Sequence, residues 1–381
     1  MSMKTLMFTE CVELVGSACK AFSGTKKYVS TGAVDVDHIN ESDTEIVDYE
    51  GKPSRANLDV MAGDILFAKM QGTKKTLMID SVLADHIYST GFCAVRAKEG
   101  ILTKRCLYHL LTSEMFLSQK DKNCSGATQK AITNAGLGKI AIQVPSINKQ
   151  DGIADQLDAI KSIITKRRQE LKALDELIKA RFVEMFGSFD LALQKAEWVP
   201  ISQIGTVVGG STPKTGVAEY WDGEYRWISP AELKADSGII YDSVKKITKA
   251  GVDSCSLQEL PIGTVILSSR APIGKVAIAG NTFYCNQGFK NVICNDRVLP
   301  RYLYTLLLFN TEFLNSLGRG ATFKEISKAI VENIRIPLPS FDRQQRFDSF
   351  VVQVDKSKVV VQKSLDEAQL LFDSLMQQYF G

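Results

Sequence analysis

From Ile153 onward, apolar side chains recur at Leu157, Ile160, Ile164, Leu171, Leu174, Ile178 and Met185, in alternating steps of four and three. Arg167 and Arg181 occupy the two steps that lack an apolar residue. This spacing is the seam of a helix that packs lengthwise against another helix. The same seam returns 194 residues later at Phe347, Val351, Val354, Lys358, Val361, Leu365, Ala368, Phe372, Leu375 and Tyr379. Each stripe would make a helix roughly 50 Å long, at about 1.5 Å per residue. Most apolar helix stripes pack on their own globular core. Here both lie outside the strand-rich segments, and mutual pairing is expected. A compact domain has its ends close together, so a second helix that begins where the first stops must run back antiparallel to it. Leu177, Phe182 and Phe186 widen the first stripe, which fits either a partner surface or local packing.

The periodicity is part of a larger repeat. The tract Gly126-Ala127-Thr128-Gln129-Lys130-Ala131-Ile132 matches Gly320-Ala321-Thr322-Phe323-Lys324-Glu325-Ile326, both reading G-A-T-x-K-x-I. The offset of 194 then holds without a gap through Pro145-Ser146 and Pro339-Ser340, through Gln150 and Gln344, to Gly187 and Gly381. Upstream the agreement is fainter: Gly63-Asp64-Ile65-Leu66 against Gly263-Thr264-Val265-Ile266, Gly91-Phe92 against Gly288-Phe289, and Tyr28-Val29-Ser30 against Trp227-Ile228-Ser229. The changing offsets imply loops of different length. Short β-rich runs broken by Gly and Asn, such as 265–268, 275–279 and 291–294, mark strands, and stretches near 104–118 and 301–317 read as helices. Each half is therefore expected to be an α/β unit with a curved sheet, followed by a Pro-Ser stop and a long helix.

Composition narrows the classes. With 381 residues the chain is comfortable for two or three domains. No apolar run is long enough for a membrane span or, at the start, for a signal peptide, and a cytoplasmic protein with no membrane association is expected. The eight cysteines form no C-x-x-C pair and the three histidines form no ligand pair, which points to lone thiols in a reducing compartment rather than a zinc site. Net charge is only +3, with 17 basic and 16 acidic side chains over residues 1–147 and 16 and 13 over 195–340. This excludes a polycation but not a DNA reader, which concentrates charge on one face. The motifs G-x-S-x-G, H-E-x-x-H and G-x-G-x-x-G are absent, as is the Asn/Asp tetrapeptide of amino-methyltransferases. Glu50-Gly51-Lys52 lacks the Pro-Asp that precedes it in nuclease sites and reads as a turn.

The second half carries the most recognisable text. It runs Trp198-Val199-Pro200-Ile201, Gly209-Gly210-Ser211-Thr212-Pro213-Lys214, Trp221 and then Trp227-Ile228-Ser229. It continues with Gly263-Thr264-Val265-Ile266-Leu267-Ser268-Ser269-Arg270-Ala271-Pro272-Ile273-Gly274 and Asn286-Gln287-Gly288-Phe289. In this order, with the G-A-T-x-K-x-I tract and an I-P-L-P stop before the helix, the chain resembles the specificity subunit of type I restriction-modification systems over essentially its whole length. The resemblance implies an α+β architecture. Two similar α/β target-recognition domains (1–147 and 188–340) would be separated by an antiparallel two-helix coiled coil (148–187 and 341–381), in a pseudo-two-fold, near-circular arrangement. It further implies double-stranded DNA as a partner, read at an interrupted two-part site, together with two methyltransferase subunits and restriction/translocase subunits. No cofactor is implied in this chain; S-adenosylmethionine, ATP and Mg belong to those partners. The first unit departs from the pattern in lacking a G-x-T-P loop, having Ser23-Gly24-Thr25-Lys26-Lys27 instead.

DNA readers need cationic and hydroxyl anchors for phosphate and forked side chains for base edges. In the first unit Lys26, Lys27, Lys69, Gln71, Lys74 and Lys75 are the candidates, Gln71 suiting adenine. In the second they are Ser211, Thr212 and Lys214 of the glycine loop, then Ser268, Ser269 and Arg270, with Arg270 suiting guanine, and Asn286, Gln287 and Lys290. Each segment also reads as a solvated turn, and the resemblance favours DNA. Lys130 and Lys324 recur in both repeats and point to structure, with Thr128 and Thr322 as caps for the following turn. The tryptophans read as core or loop anchors. Two other functions stay open: a methyltransferase or nuclease with its own specificity domains, and a coiled-coil scaffold that binds only protein. A methyltransferase-only system is a further variant of the resemblance.

Overall fold

The computed structural model describes all residues except 1, 2, 188, 189, 194, 235, 236, 271 and 321–323. It divides into two compact units, one formed by Met1–Glu170 with Val361–Gly381 and the other by Leu171–Val360.

In the first unit, Met3–Met7 pairs antiparallel with Ala141–Pro145. A four-stranded antiparallel sheet follows, in the order Val12–Val15, Phe92–Ala97, Ile65–Ala68, Thr76–Met78. A second sheet has the order Glu45–Val47, Lys26–Val29, Ile87–Ser89, Ala56–Leu58, with its two central strands parallel. The other unit repeats the plan. Val199–Pro200 pairs with Arg335–Ile336. The main sheet runs Gly205–Gly209, Lys290–Cys294, Val265–Leu267, Val276–Ala279, Ile239–Ile240, and Trp221–Ile228 lies parallel to Tyr284–Cys285 in a smaller sheet. The short β-rich runs seen in the sequence are these central strands, buried on both faces.

The helical stretch in each unit is broken rather than continuous. Lys104–Thr112 gives way to Glu114–Lys122 at Ser113, whose hydroxyl accepts from the Phe116 amide and so caps the second helix. Pro300–Phe309 gives way to Thr311–Ser316 at Asn310, whose amide donates back to the Leu306 carbonyl.

The two long helices are Ile147–Phe186 and Phe341–Phe380. Near the start of each, a fully buried glutamine fastens helix to sheet unit. Gln150 donates to the carbonyls of Pro145 and Ile101 and accepts from Thr103 N–H; Gln344 does the same with Pro339, Arg297 and Leu299. Within the first unit Tyr379 donates to Gln156, and Arg168 to Gln369. Within the second, Lys358 pairs with Asp175 and Phe347 packs edge-on against Phe182. As the number rises on one helix it falls on the other, so the segments pair antiparallel, as expected. The seam residues are the least exposed stripe, although the stretch from Leu171 to Ile178 is only half-buried, because two helices alone cannot enclose it. Lys358 interrupts the seam and its charge is met by Asp175. Phe182 and Phe186 are core residues packed on Tyr302, whereas Leu177 is 46 % exposed.

Candidate nucleic-acid interface

Each unit presents a loop after the third-listed strand's counterpart in the main sheet: 69–75 after Ile65–Ala68 and 268–275 after Val265–Leu267. The two loops are anchored by the same backbone bonds. Lys69 N–H donates to Gly91 O, and Ser269 N–H to Gly288 O. Ile132 N–H donates to Lys69 O, and Ile326 N–H to Ser269 O. Met70 bridges to Ala131 and Arg270 to Glu325. Behind each loop a lysine is spent on backbone: Lys75 Nζ donates to Thr31 O at 2.8 Å, and Lys275 Nζ to Pro230 O at 3.2 Å and Leu233 O at 2.5 Å. The end of the G-A-T-x-K-x-I tract, at Ala131-Ile132 and Glu325-Ile326, is thus a strap that closes the loop against the sheet.

In the first unit the loop is supported from below by Lys120, whose side chain is 1 % exposed. Its ammonium donates to the carbonyls of Thr73, Met70 and Ala68 at 2.8, 3.0 and 3.4 Å, satisfying all three of its protons. Asp121 accepts from Gly72 N–H at 3.0 Å. On the outer side Gln71 is exposed and donates to Asp121 O, Lys74 pairs with Glu114, and the Lys69 ammonium has no partner among the described residues. Lys26 and Lys27 sit in the other sheet, Lys26 over the Phe22 ring and Lys27 paired with Glu41 at 2.5 Å.

The second unit brings its candidates into one network. Thr212 donates to Gln287 Oε1 at 2.5 Å. Lys290 Nζ reaches Gln287 O, Ser269 Oγ and Glu325 Oε1, the last at 3.2 Å. Arg270 donates through Nε to Glu325 Oε2 at 3.0 Å. Burial opposes ionisation of Glu325, but the hydrogen bonds from Lys290 and Arg270 outweigh it and hold the carboxyl below its ordinary range. The glycine loop is pinned to this network. Trp227 Nε1–H donates to Ser211 O and Trp221 Nε1–H to Lys214 O, so these tryptophans are loop anchors. A Cβ on Gly210 would stand 2.0 Å from Cys285 O, so only glycine allows this approach. Lys214 is left exposed, and the half-buried Asn286 accepts from Gly288 N–H through its side-chain oxygen.

Several expectations need correction. Ser268 and Ser269 are both fully buried: Ser268 Oγ donates to Pro272 O and accepts from Lys275 N–H, and Ser269 Oγ faces Lys290. They shape the loop from inside and do not face solvent. Lys75 is held by Thr31 O for the same reason. Thr128 is exposed and caps nothing; the following short helices are capped by Thr133 and Ser327, one repeat apart, and Thr322 lies outside the described residues. Lys130 and Lys324 are exposed, and Lys130 serves through its carbonyl, which accepts from Gln71 N–H.

Sequence reasoning missed Lys120 and Glu325. A lysine four residues after Phe116 on the core face of a helix was the available signal for the first. For the second it was the single acidic residue in the strap, where the other repeat has Ala131. Among the described residues no cluster of His, Cys, Asp or Glu could hold a metal ion, all eight cysteines are free, and no helix is long and apolar enough to cross a membrane.

Comparison with known proteins gives a consistent result. A family model described as the type I restriction modification DNA specificity domain matches residues 13–173 and again 194–368. The MjaIX specificity subunit of a type I restriction enzyme from Methanocaldococcus jannaschii is 38 % identical over 200 residues, covering 49 % of this chain and 46 % of that one. The EcoR124I/EcoR124II specificity subunit of Escherichia coli is 25 % identical over 235 residues, covering 59 % of this chain and 57 % of its own. The chain thus spans about half the length of these curated relatives. In fold it is similar to a chain from a type I R-M system solved to explain complex assembly and conformational transition (TM-score 0.62, 21 % identity, 99 % and 97 % covered). It is also similar to the type I restriction-modification S subunit from M. genitalium (TM-score 0.60, 14 % identity, 100 % and 96 % covered).

Proposed function

Because this chain belongs to the type I restriction modification DNA specificity family, we propose that it is the sequence-reading, non-catalytic subunit of a type I restriction-modification complex. The observation that carries this reading is the doubled strap-and-loop device. Two units that share the order of four main-sheet strands hold a loop in the same way yet fill it with different polar side chains. A scaffold that bound only protein would have no need to keep the frame and change the outward residues, whereas a reader of two unlike half-sites requires it.

The first unit contacts DNA through Lys69, Gln71 and Lys74, with Lys26 and Lys27 on phosphates. The second uses Ser211, Thr212 and Lys214 on the backbone, and Arg270, Gln287 and Lys290 near the bases, with Asn286 shaping the turn. The surface ion pairs of Lys27 and Lys74 are exposed and weak, so phosphates can displace their carboxylates. Methyl transfer and cleavage, with their S-adenosylmethionine, ATP and Mg, fall to two methyltransferase subunits and to restriction subunits, which dock on the paired helices.

Footprinting of the assembled complex tests this. Two protected patches flanking an unprotected gap are expected, their centres near a multiple of about 34 Å if both lie on one face of the duplex. Affinity should fall steeply with salt. One continuous patch, or binding indifferent to sequence, would overturn it.

A further inference from the structure

The Arg270–Glu325–Lys290 cluster is more than a basic patch. Glu325 sits on a rigid frame: its N–H and C=O exchange hydrogen bonds with Arg319, and the next residue donates to Ser269 O. From that frame one carboxylate oxygen takes Lys290 and the other takes Arg270 Nε. The Lys290 side chain is 14 % exposed and Arg270 is 46 % exposed, so lysine braces the carboxylate from within and arginine projects outward. With Nε engaged, the two terminal Nη groups make no hydrogen bond among the described residues. They form the outer fork of the guanidinium, the geometry that matches O6 and N7 of guanine.

A carboxylate is a poor neighbour for a phosphate, because its charge repels the DNA backbone. Against base edges the objection is weaker, since cytosine N4 is a donor that a carboxylate can accept. A free arginine would also lose rotamer freedom on binding, a loss already taken when the side chain is tied down beforehand. In the first unit the same bridge joins Met70 to Ala131, and no such pair exists.

We propose that Glu325 is the specificity-determining positioning residue of the second unit, orienting Arg270 to read a guanine in that unit's half-site while discouraging its use as a phosphate clamp. This rests on the DNA-reading function proposed above.

The test is selection from a pool of randomised duplexes by the full chain in its methyltransferase complex, followed by affinity measurements on the selected duplex and its single-base variants. The wild-type complex should require guanine at one position of one half-site, by roughly 5- to 150-fold as for a bidentate arginine contact. Glu325→Ala should cut that requirement to about threefold or less while raising affinity for unrelated duplexes, the opposite of what general damage to the unit would do. Glu325→Gln, which keeps an acceptor for Nε, should restore part of the discrimination. Arg270→Lys should lose it at unchanged charge. An unaltered guanine requirement in Glu325→Ala, or an equal loss on all duplexes, would overturn the role of Glu325. A wild-type complex that selects a sequence with no guanine in that half-site would do the same. A wild-type complex that selects no sequence at all would instead overturn the DNA-reading function, and this inference with it.

Discussion

The two loops share a frame and differ in how they are stiffened. In the first unit the support comes from beneath, where a buried ammonium gathers three carbonyls and leaves the outer face to Lys69 and Gln71. In the second, no lysine donates to the loop's carbonyls among the described residues, and the stiffening lies at the surface, in Glu325 and its two cations. A backbone held from below leaves its outward side chains free to adapt. One held through those side chains commits them before any ligand arrives. On the proposed DNA-reading function, the first unit should therefore read its half-site with more tolerance than the second.

The largest effect should come from making the first loop resemble the second. Lys120→Leu removes the ammonium from the carbonyls of Ala68, Met70 and Thr73, of which Met70 O keeps the Thr73 hydroxyl, and should cost about 2 to 4 kcal/mol, read by denaturant unfolding of the full chain. Protection of one half-site should be lost and that of the other kept. Gly210→Ala drives a methyl into Cys285 O and Asn286 O and should cost about 2 kcal/mol, with the converse footprint. Moving the surface device across, as Met70→Arg with Ala131→Glu, should create a guanine preference of about fivefold in the first half-site, near 1 kcal/mol, scored by competitive binding. The smallest effect is that of acid. The folded carboxyl of Glu325 lies below its ordinary value of 4.5, so its pairing is fully present above pH 4.5 and is lost only as pH falls through the depressed value. A side-chain carboxyl NMR titration should place the Glu325 midpoint below 4.5.

Much of the molecule was legible in the residues. The 4-3 seam required two long helices, and the repeated Pro-Ser and Gln150/Gln344 placed their starts. Apolar runs between glycines marked the central strands, because strand burial and turn geometry depend on neighbours a few residues away. The segments 69–75 and 268–275 do lie after central strands, but three of the side chains read as outward-facing there are held inside. Ser268 and Ser269 read as exposed hydroxyls beside an arginine, yet both are buried under the strap. Lys75 read as an ordinary cation and Lys120 was missed, yet each ends on main-chain carbonyls. By itself the sequence determined periodicity, duplication and the sites of turns, all of which are local patterns. Tertiary structure alone decided which cations face outward and which carboxylate meets them. Those facts depend on partners some 40 to 55 residues away, such as Thr31 for Lys75, Met70 for Lys120 and Glu325 for Arg270, and a hydrogen bond exists only where folding brings its two ends within about 3 Å.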